Sequence, residues 1–276
     1  MKYRAICTDI DGTLLNKERQ LSEKTIATVR SLGTHFPFIL ASSRMPSAMR
    51  HLQVELDIEH HPLIAYNGGY VLLYKDGKAI EFCSIEIPGA VVEKILSLSS
   101  GMTIHNSLYR RDEWFAPAAD QWTEREEKIT KVRAEIRNVY EVAAAWKARG
   151  DGAHKVMCMG PEEEVNVLEQ RLTTNLAGEI HVYRSRPTYL ELAPRSISKA
   201  TGLALLLEKL YDFPMETVIG FGDNYNDIDM LMTCGLGIAV ANARDEVLAV
   251  ANEVTGKSVD DGVAAAIEKY CFPREK

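Results

Sequence analysis

Short apolar runs alternate with longer amphipathic stretches at both ends of the chain. The runs FPFILA (36–41) and PLIAY (62–66) are apolar almost throughout, as expected of parallel strands covered on both faces. The pattern predicts strands at Tyr3–Thr8, Phe36–Ala41 and Leu63–Tyr66. Between them it predicts a helix at Ser22–Leu32, opened by a serine N-cap, and one at Pro46–Leu56 with proline in its first turn. The alternation resumes near the C-terminal end. A helix is expected at Ser198–Tyr211, a strand at Thr217–Phe221, a helix start at Asp227–Met232 and a strand at Leu236–Val240. Helices at Arg244–Ala251 and Asp261–Tyr270 follow. Strand–helix repetition of this kind indicates an α/β fold with a doubly wound, Rossmann-like parallel sheet.

The middle of the chain reads differently. Tyr70–Tyr74 and Lys78–Ile85 flank Asp76-Gly77, a hairpin signal. Pro88–Ser99 is expected to be helical and Met102–Tyr109 strand-like. The charged stretch TEREEKITKVRAEIR is expected to form one or two solvated helices or a loop. Strands at His154–Met159 and Ile180–Leu192 bracket a helix at Pro161–Leu176. This α+β segment reads as an insertion: residues 1–82 and 191–276 form the core and residues 83–190 a smaller domain. Trp114, Trp122 and Trp146 fall within it, and such aromatics mostly build core. His60-His61 reads as loop.

Composition narrows the function. A net charge of −7, with both signs mixed along the chain, argues against nucleic-acid or anionic-membrane partners. Five scattered cysteines without a C-x-x-C pair suggest reduced thiols, neither a disulfide framework nor a zinc site. No apolar run approaches the ~20 residues that cross a bilayer, and no signal-type core opens the chain. A cytoplasmic protein, monomeric or a weak homodimer, is the expectation. Gly220-x-Gly222 lacks a third glycine at Tyr225, so no dinucleotide fingerprint is present.

The chemistry lies where predicted core strands end, the place at which open parallel sheets bind ligands. RAICTDIDGTLL closes an apolar run with Asp9 and Asp11; Ser42-Ser43-Arg44 follows FPFILA; Asn67-Gly68-Gly69 follows PLIAY; Gly222-Asp223-Asn224 follows TVIGF. Asn226 and Asp227 stand just beyond Asp223, and Lys199 begins the helix after the insertion. A carboxylate approaching a phosphate dianion meets about 4 kcal/mol of repulsion per pair of unit charges at 4 Å and an effective dielectric of 20. A hard divalent cation such as Mg²⁺, helped by Lys199, reverses that sign. One Asp could then attack a phosphoryl group. The other could give a proton to the leaving group and later take one from water.

The same residues resemble the haloacid-dehalogenase (HAD) superfamily of phosphohydrolases. DIDGT is similar to their D-x-D-G-T signature and ILASSR to their second motif. Lys199 in SISKATGLALLL resembles the third, and GFGDNYNDIDML the fourth, G-D-x-x-N-D. Further matches lie in YNGG, YLELAP, AVANA and DDGVAAAI. The insertion between the second and third motifs resembles that of Cof-like phosphatases with a type IIB α/β cap, which roofs the active site. The resemblance implies Asp9 as nucleophile and Asp11 as general acid/base. It implies Mg²⁺ on Asp9, the Asp11 backbone carbonyl and Asp223, with Asp227 beside the metal or joined through water. Ser42, Ser43 and Asn226 would face phosphate, and Lys199 would bridge phosphate to the nucleophile; Arg44 and the loop around Tyr109–Trp114 are the candidates for contacts to the leaving group. Ser42-Ser43 stands where the family commonly has Thr-Gly. The expected substrate is a small phosphorylated metabolite, a sugar phosphate first, with flavin or pyridoxal phosphates as related choices. A phosphomutase and a catalytically idle sugar-phosphate-binding regulator are the competing readings. A dehalogenase needs neither Asp11 nor Asp223.

Overall fold

The structure, a computed structural model, describes residues 2–272. Two compact units are present. The first contains the chain up to Ser43, Met49–Cys83, and the chain from Ser198 onward. Its sheet uses β1 (Ala5–Thr8), β2 (Phe38–Ala41), β3 (Leu63–Ala65), β4 (Tyr70–Lys75) and β5 (Lys78–Ser84). Three late strands complete it: β14 (Val218–Gly222), β15 (Leu236–Val240) and β16 (Glu253–Thr255), in the order β16-β15-β14-β1-β2-β3-β4-β5. Neighbours from β16 to β3 are parallel, and β4 turns back antiparallel on β3. The chain therefore winds one way through β1, β2 and β3 and the other way through β14, β15 and β16. The order reverses beside β1, which is where a crevice opens in such sheets.

The helices of this unit are α1 (Glu23–Ser31), α2 (Ser47–Leu56), α7 (Lys199–Leu206), α8 (Ile228–Thr233), α9 (Asp245–Val250) and α10 (Gly262–Cys271). Ser22 caps α1 by accepting from the Thr25 amide at 3.0 Å, as its sequence position predicts. The apolar runs fill the core on both sheet faces. Ile39, Ile64 and Val218 pack with Leu203 and Leu206 of α7 and with Met230 of α8. Asp76 and Gly77 both have positive φ, 51° and 73°, so the β4–β5 hairpin turns as its sequence predicts. His61 is buried in this core. Its Nδ1 accepts from the Phe38 amide at 2.9 Å, its Nε2 faces the Thr34 carbonyl, and burial pushes its pKa down to about 4.

The second unit, Arg44–Ala48 and Ser84–Ile197, has its own layers. A short pair, β6 (Ile87–Pro88) with β10 (Gly152–Ala153), stands beside a six-stranded sheet. That sheet contains β7 (His105–Arg110), β8 (Glu113–Ala116), β9 (Glu135–Ile136), β11 (Lys155–Met159), β12 (Ile180–Arg186) and β13 (Tyr189–Pro194). Helices α3 (Gly89–Leu98), α5 (Val139–Arg149) and α6 (Glu162–Leu176) bury the face of Leu108, Val156, Cys158, Leu190 and Leu192. The opposite face carries Tyr109, stacked on Trp114 at 5.4 Å, with the Lys155 ammonium 4.6 Å from the Tyr109 ring centroid.

Three expectations change here. The run Ile180–Leu192 is two strands, β12 and β13, broken at Pro187, whose missing amide ends the ladder. The first part of the charged stretch lies in α4 (Gln121–Thr130), which buries Thr123 and Glu126, and its end contains the short strand β9, so it is neither wholly solvated nor all helix and loop. Helix α5 was not expected, because its core face is only Val139, Ala143 and Trp146 among small and charged neighbours. Trp114 and Trp146 are core, both 2% exposed. All five cysteines are free thiols. Among the described residues no helix is long and apolar enough to cross a membrane.

Candidate active site

Four adjacent strands of the first unit, β14, β1, β2 and β3, end on the residues with chemistry: Asp223, Asp9, Ser42 and Asn67. Asp9 extends the β1–β14 pairing, its amide donating to the Phe221 carbonyl at 3.0 Å, so its side chain is fixed at the sheet edge. Lys199, the first residue of α7, is fully buried. Its Nζ donates to Asp9 Oδ1 at 2.5 Å and to Asp227 Oδ1 at 2.6 Å. The other oxygen of Asp227 accepts from the Asp223 and Asn224 amides, each at 3.0 Å. Thr13 Oγ1 donates to Asp223 Oδ1 at 2.8 Å. These bonds hold three acids in place around one ammonium.

Two glycines make the approach possible. A Cβ on Gly12, whose φ is +92°, would lie 2.4 Å from Asp223 Oδ2, and one on Gly222 would lie 2.4 Å from Asp227 Cβ. The D-x-D-G sequence therefore does two things: it bends the chain, and it leaves room for an acid arriving from β14.

The charges do not balance. One oxygen from each of Asp9, Asp223 and Asp227 lies within 4.8 Å of the others, against the single cation of Lys199. Burial, followed by the neighbouring acids, pushes the Asp9 pKa well up, although Lys199 pulls it down. Burial likewise raises Asp223 to about 6. Burial opposes the charge on Lys199, but Asp227 and Asp9 outweigh it and raise its pKa. Asp9 Oδ2 is buried without any hydrogen-bond partner. An orphaned carboxylate oxygen beside two further carboxylates is a donor set for a hard divalent cation, and the residues fit one.

The Asp11 side chain lies outside the trio, partly exposed, with a carboxylate oxygen 3.6 Å from Arg19 Nη2. Ser42 is buried at the end of β2, its amide donating to Ile64 and its carbonyl accepting from Asn67. Ser43 is half-buried. Arg44 is buried in the second unit, where its Nη1 donates to the Ala48 carbonyl at 3.0 Å. Asn226 Nδ2 donates to Asn67 Oδ1 at 2.9 Å. Sequence reasoning assigned no role to Thr13 or Arg19. Thr13 lies inside the DIDGT signature and could have been found there; Arg19 gave no signal.

The model of the haloacid dehalogenase-like hydrolase family matches residues 6–267. A putative phosphatase of Haemophilus influenzae is 30% identical over 275 residues, covering 99% of this chain and 100% of the relative. A 5-amino-6-(5-phospho-D-ribitylamino)uracil phosphatase of Bacillus subtilis is 29% identical, covering 96% of each chain. The crystal structure of a haloacid dehalogenase-like hydrolase from Bacteroides thetaiotaomicron superposes with a TM-score of 0.86 at 28% identity, covering 97% of this chain and 99% of that one.

Proposed function

Because the chain belongs to the haloacid dehalogenase-like hydrolase family and is a phosphatase of it, we propose that it is a Mg²⁺-dependent phosphomonoesterase acting through an aspartyl-phosphate on Asp9. The observation that carries this reading is the orphaned Asp9 Oδ2 within a trio of carboxylates compensated by one lysine. Asp9, Asp223 and the Asp11 backbone carbonyl would hold the cation, with Asp227 beside it or joined through water. The cation would offset negative charge on the phosphoryl oxygens and on the acids.

The chain's own groups account for the bond changes. A carboxylate oxygen of Asp9 attacks phosphorus as the bond from phosphorus to the ester oxygen breaks, and the Asp11 carboxyl gives its proton to that oxygen. Lys199, Ser42 and Asn226 hold the transferring group. Asp11, now ionised, takes a proton from water, and the hydroxide formed attacks phosphorus, releasing phosphate and restoring Asp9. We read the second unit as the counterpart of the cap insertion expected at 83–190. Sugar phosphates and similar small metabolites are the proposed substrates, and the phosphoribityl compound named for the B. subtilis relative is of this kind.

The test is a panel of phosphomonoesters assayed for phosphate release with Mg²⁺ and with EDTA. Turnover that requires Mg²⁺ is expected, and equal activity in both conditions would remove the metal from the reading. Asp11→Asn should lower kcat by roughly 10²–10⁴-fold, the range of a lost general acid/base. Its Mg²⁺ affinity by calorimetry should stay nearly unchanged, because the Asp11 side chain stands outside the acid trio. Collapse of metal binding in that variant would contradict the role given to Asp11.

A further inference from the structure

The segment after β3 is in a conformation that needs an explanation. Tyr66, Asn67 and Gly68 all have positive φ, 51°, 57° and 101°. Left-handed residues normally occur singly, and a buried tyrosine there is costly. Tyr66 is only 1% exposed. Strain of this kind persists where the surroundings over-determine it, commonly at functional sites.

What determines it is on every side of the turn. The Asn67 amide donates to the Ser42 carbonyl at 2.9 Å. Gly68 packs so closely on α7 that a Cβ would lie 2.2 Å from the Ser198 carbonyl oxygen, one residue before Lys199. Asn67 Oδ1 accepts from Asn226 Nδ2 at 2.9 Å, across 159 residues of sequence. One strained turn thus touches the loop of Ser42, the start of the Lys199 helix and the loop of Asn226, the three places assigned to phosphate. Asn67 is 7% exposed, and among the described residues no protein group accepts from its Nδ2. Asparagine suits the position twice: it tolerates the left-handed region better than most residues, and it carries both an acceptor and a donor.

We propose that Asn67 is a phosphate-binding residue, its Oδ1 fixing Asn226 while its Nδ2 donates to an oxygen of the bound phosphoryl group. The inference rests on the phosphomonoesterase reading and adds a ligand to it. Asn67→Gly keeps the backbone conformation and removes the amide. Asn67→Asp keeps the conformation and the acceptor for Asn226, removes the donors and adds a negative charge facing phosphate.

Both variants and wild type are compared for KM with a phosphomonoester, for inhibition by inorganic phosphate, and for thermal melting. Losing a hydrogen bond to a charged group corresponds to roughly tenfold to a hundredfold in affinity. Asn67→Gly should weaken phosphate inhibition by about that factor, and Asn67→Asp should weaken it further, with melting close to wild type in both. Asn67→Asp binding phosphate as well as wild type would overturn the proposal. So would Asn67→Gly melting lower with unchanged phosphate inhibition, the signature of a purely structural turn. Wild type that neither hydrolyses phosphomonoesters nor binds phosphate would instead refute the underlying phosphatase reading.

Discussion

Asp9→Asn should abolish turnover, by about 10⁴-fold or more, while leaving the protein as stable as wild type or more so. The two halves of this result have one cause. Asp9 is 6% exposed and shares its site with Asp223 and Asp227, so its charged form is disfavoured by burial first and by like charge second. Its folded pKa lies well above the usual 3.8. The folded state therefore holds a proton that the unfolded state releases, and ionisation costs stability as pH rises through the folded value. A neutral amide of the same shape removes that cost. It still offers Lys199 an acceptor, but it cannot form an ester with phosphorus. Melting curves should show the variant equal or higher at pH 8, with the gap closing toward pH 4. Wild type quenched during turnover should carry a phosphoryl adduct by mass spectrometry, and the variant should not. A variant that lost activity by unfolding, or one that still formed the adduct, would disqualify Asp9 as the nucleophile. The trade of stability for reactivity expected here is the usual one for sites built from unbalanced charge.

Much of this site was legible because strand ends are legible. Runs apolar on both faces mark parallel strands, and the residue after each run must leave the sheet on the side where crossovers begin. Asp9, Ser42, Asn67 and Asp223 follow such runs, and the sheet places their strands side by side. The pairings among them were not legible. Thr13 meets Asp223 across 210 residues and Lys199 meets Asp9 across 190, and nothing local encodes either contact. The sequence also left open how Asp227 serves two partners. One oxygen holds Lys199 while the other caps the turn that begins at Asn224, so the residue expected beside the metal is also a charge partner of Lys199. In the second unit the signal was weaker for a different reason. An antiparallel sheet with one helix-covered face needs only half of each strand to be apolar, so β8 and the β12–β13 break stood out little from their surroundings.

Lys199→Met separates the structural work of the ammonium from the catalytic role proposed for it. Lys199 is the cation that compensates Asp9 and Asp227, and it has no exposed surface. Removing one partner of a buried ion pair typically costs about 3–5 kcal/mol, because the remaining charge is left uncompensated. Here two carboxylates lose the same partner. Lysine itself contributes no pH dependence between pH 5 and 8. Its folded pKa is raised, so its stabilisation is complete below the ordinary value of 10.5 and is lost only above it. The acids respond instead. Without Lys199 the folded pKa of Asp9 rises further, and protonation relieves the repulsion in the folded state. The deficit of the variant should therefore be small near pH 4 and grow as pH rises past about 6, the value to which burial already lifts Asp223. Millimolar Mg²⁺ should restore more stability to the variant than it adds to wild type, since a cation bound to the folded state replaces the missing charge. Turnover should nevertheless stay down by about 10²–10³-fold, the typical cost of removing a donor aimed at developing charge. A variant equally destabilised at every pH, or one that regains full activity with Mg²⁺, would mean that Lys199 only fills space beside the acids.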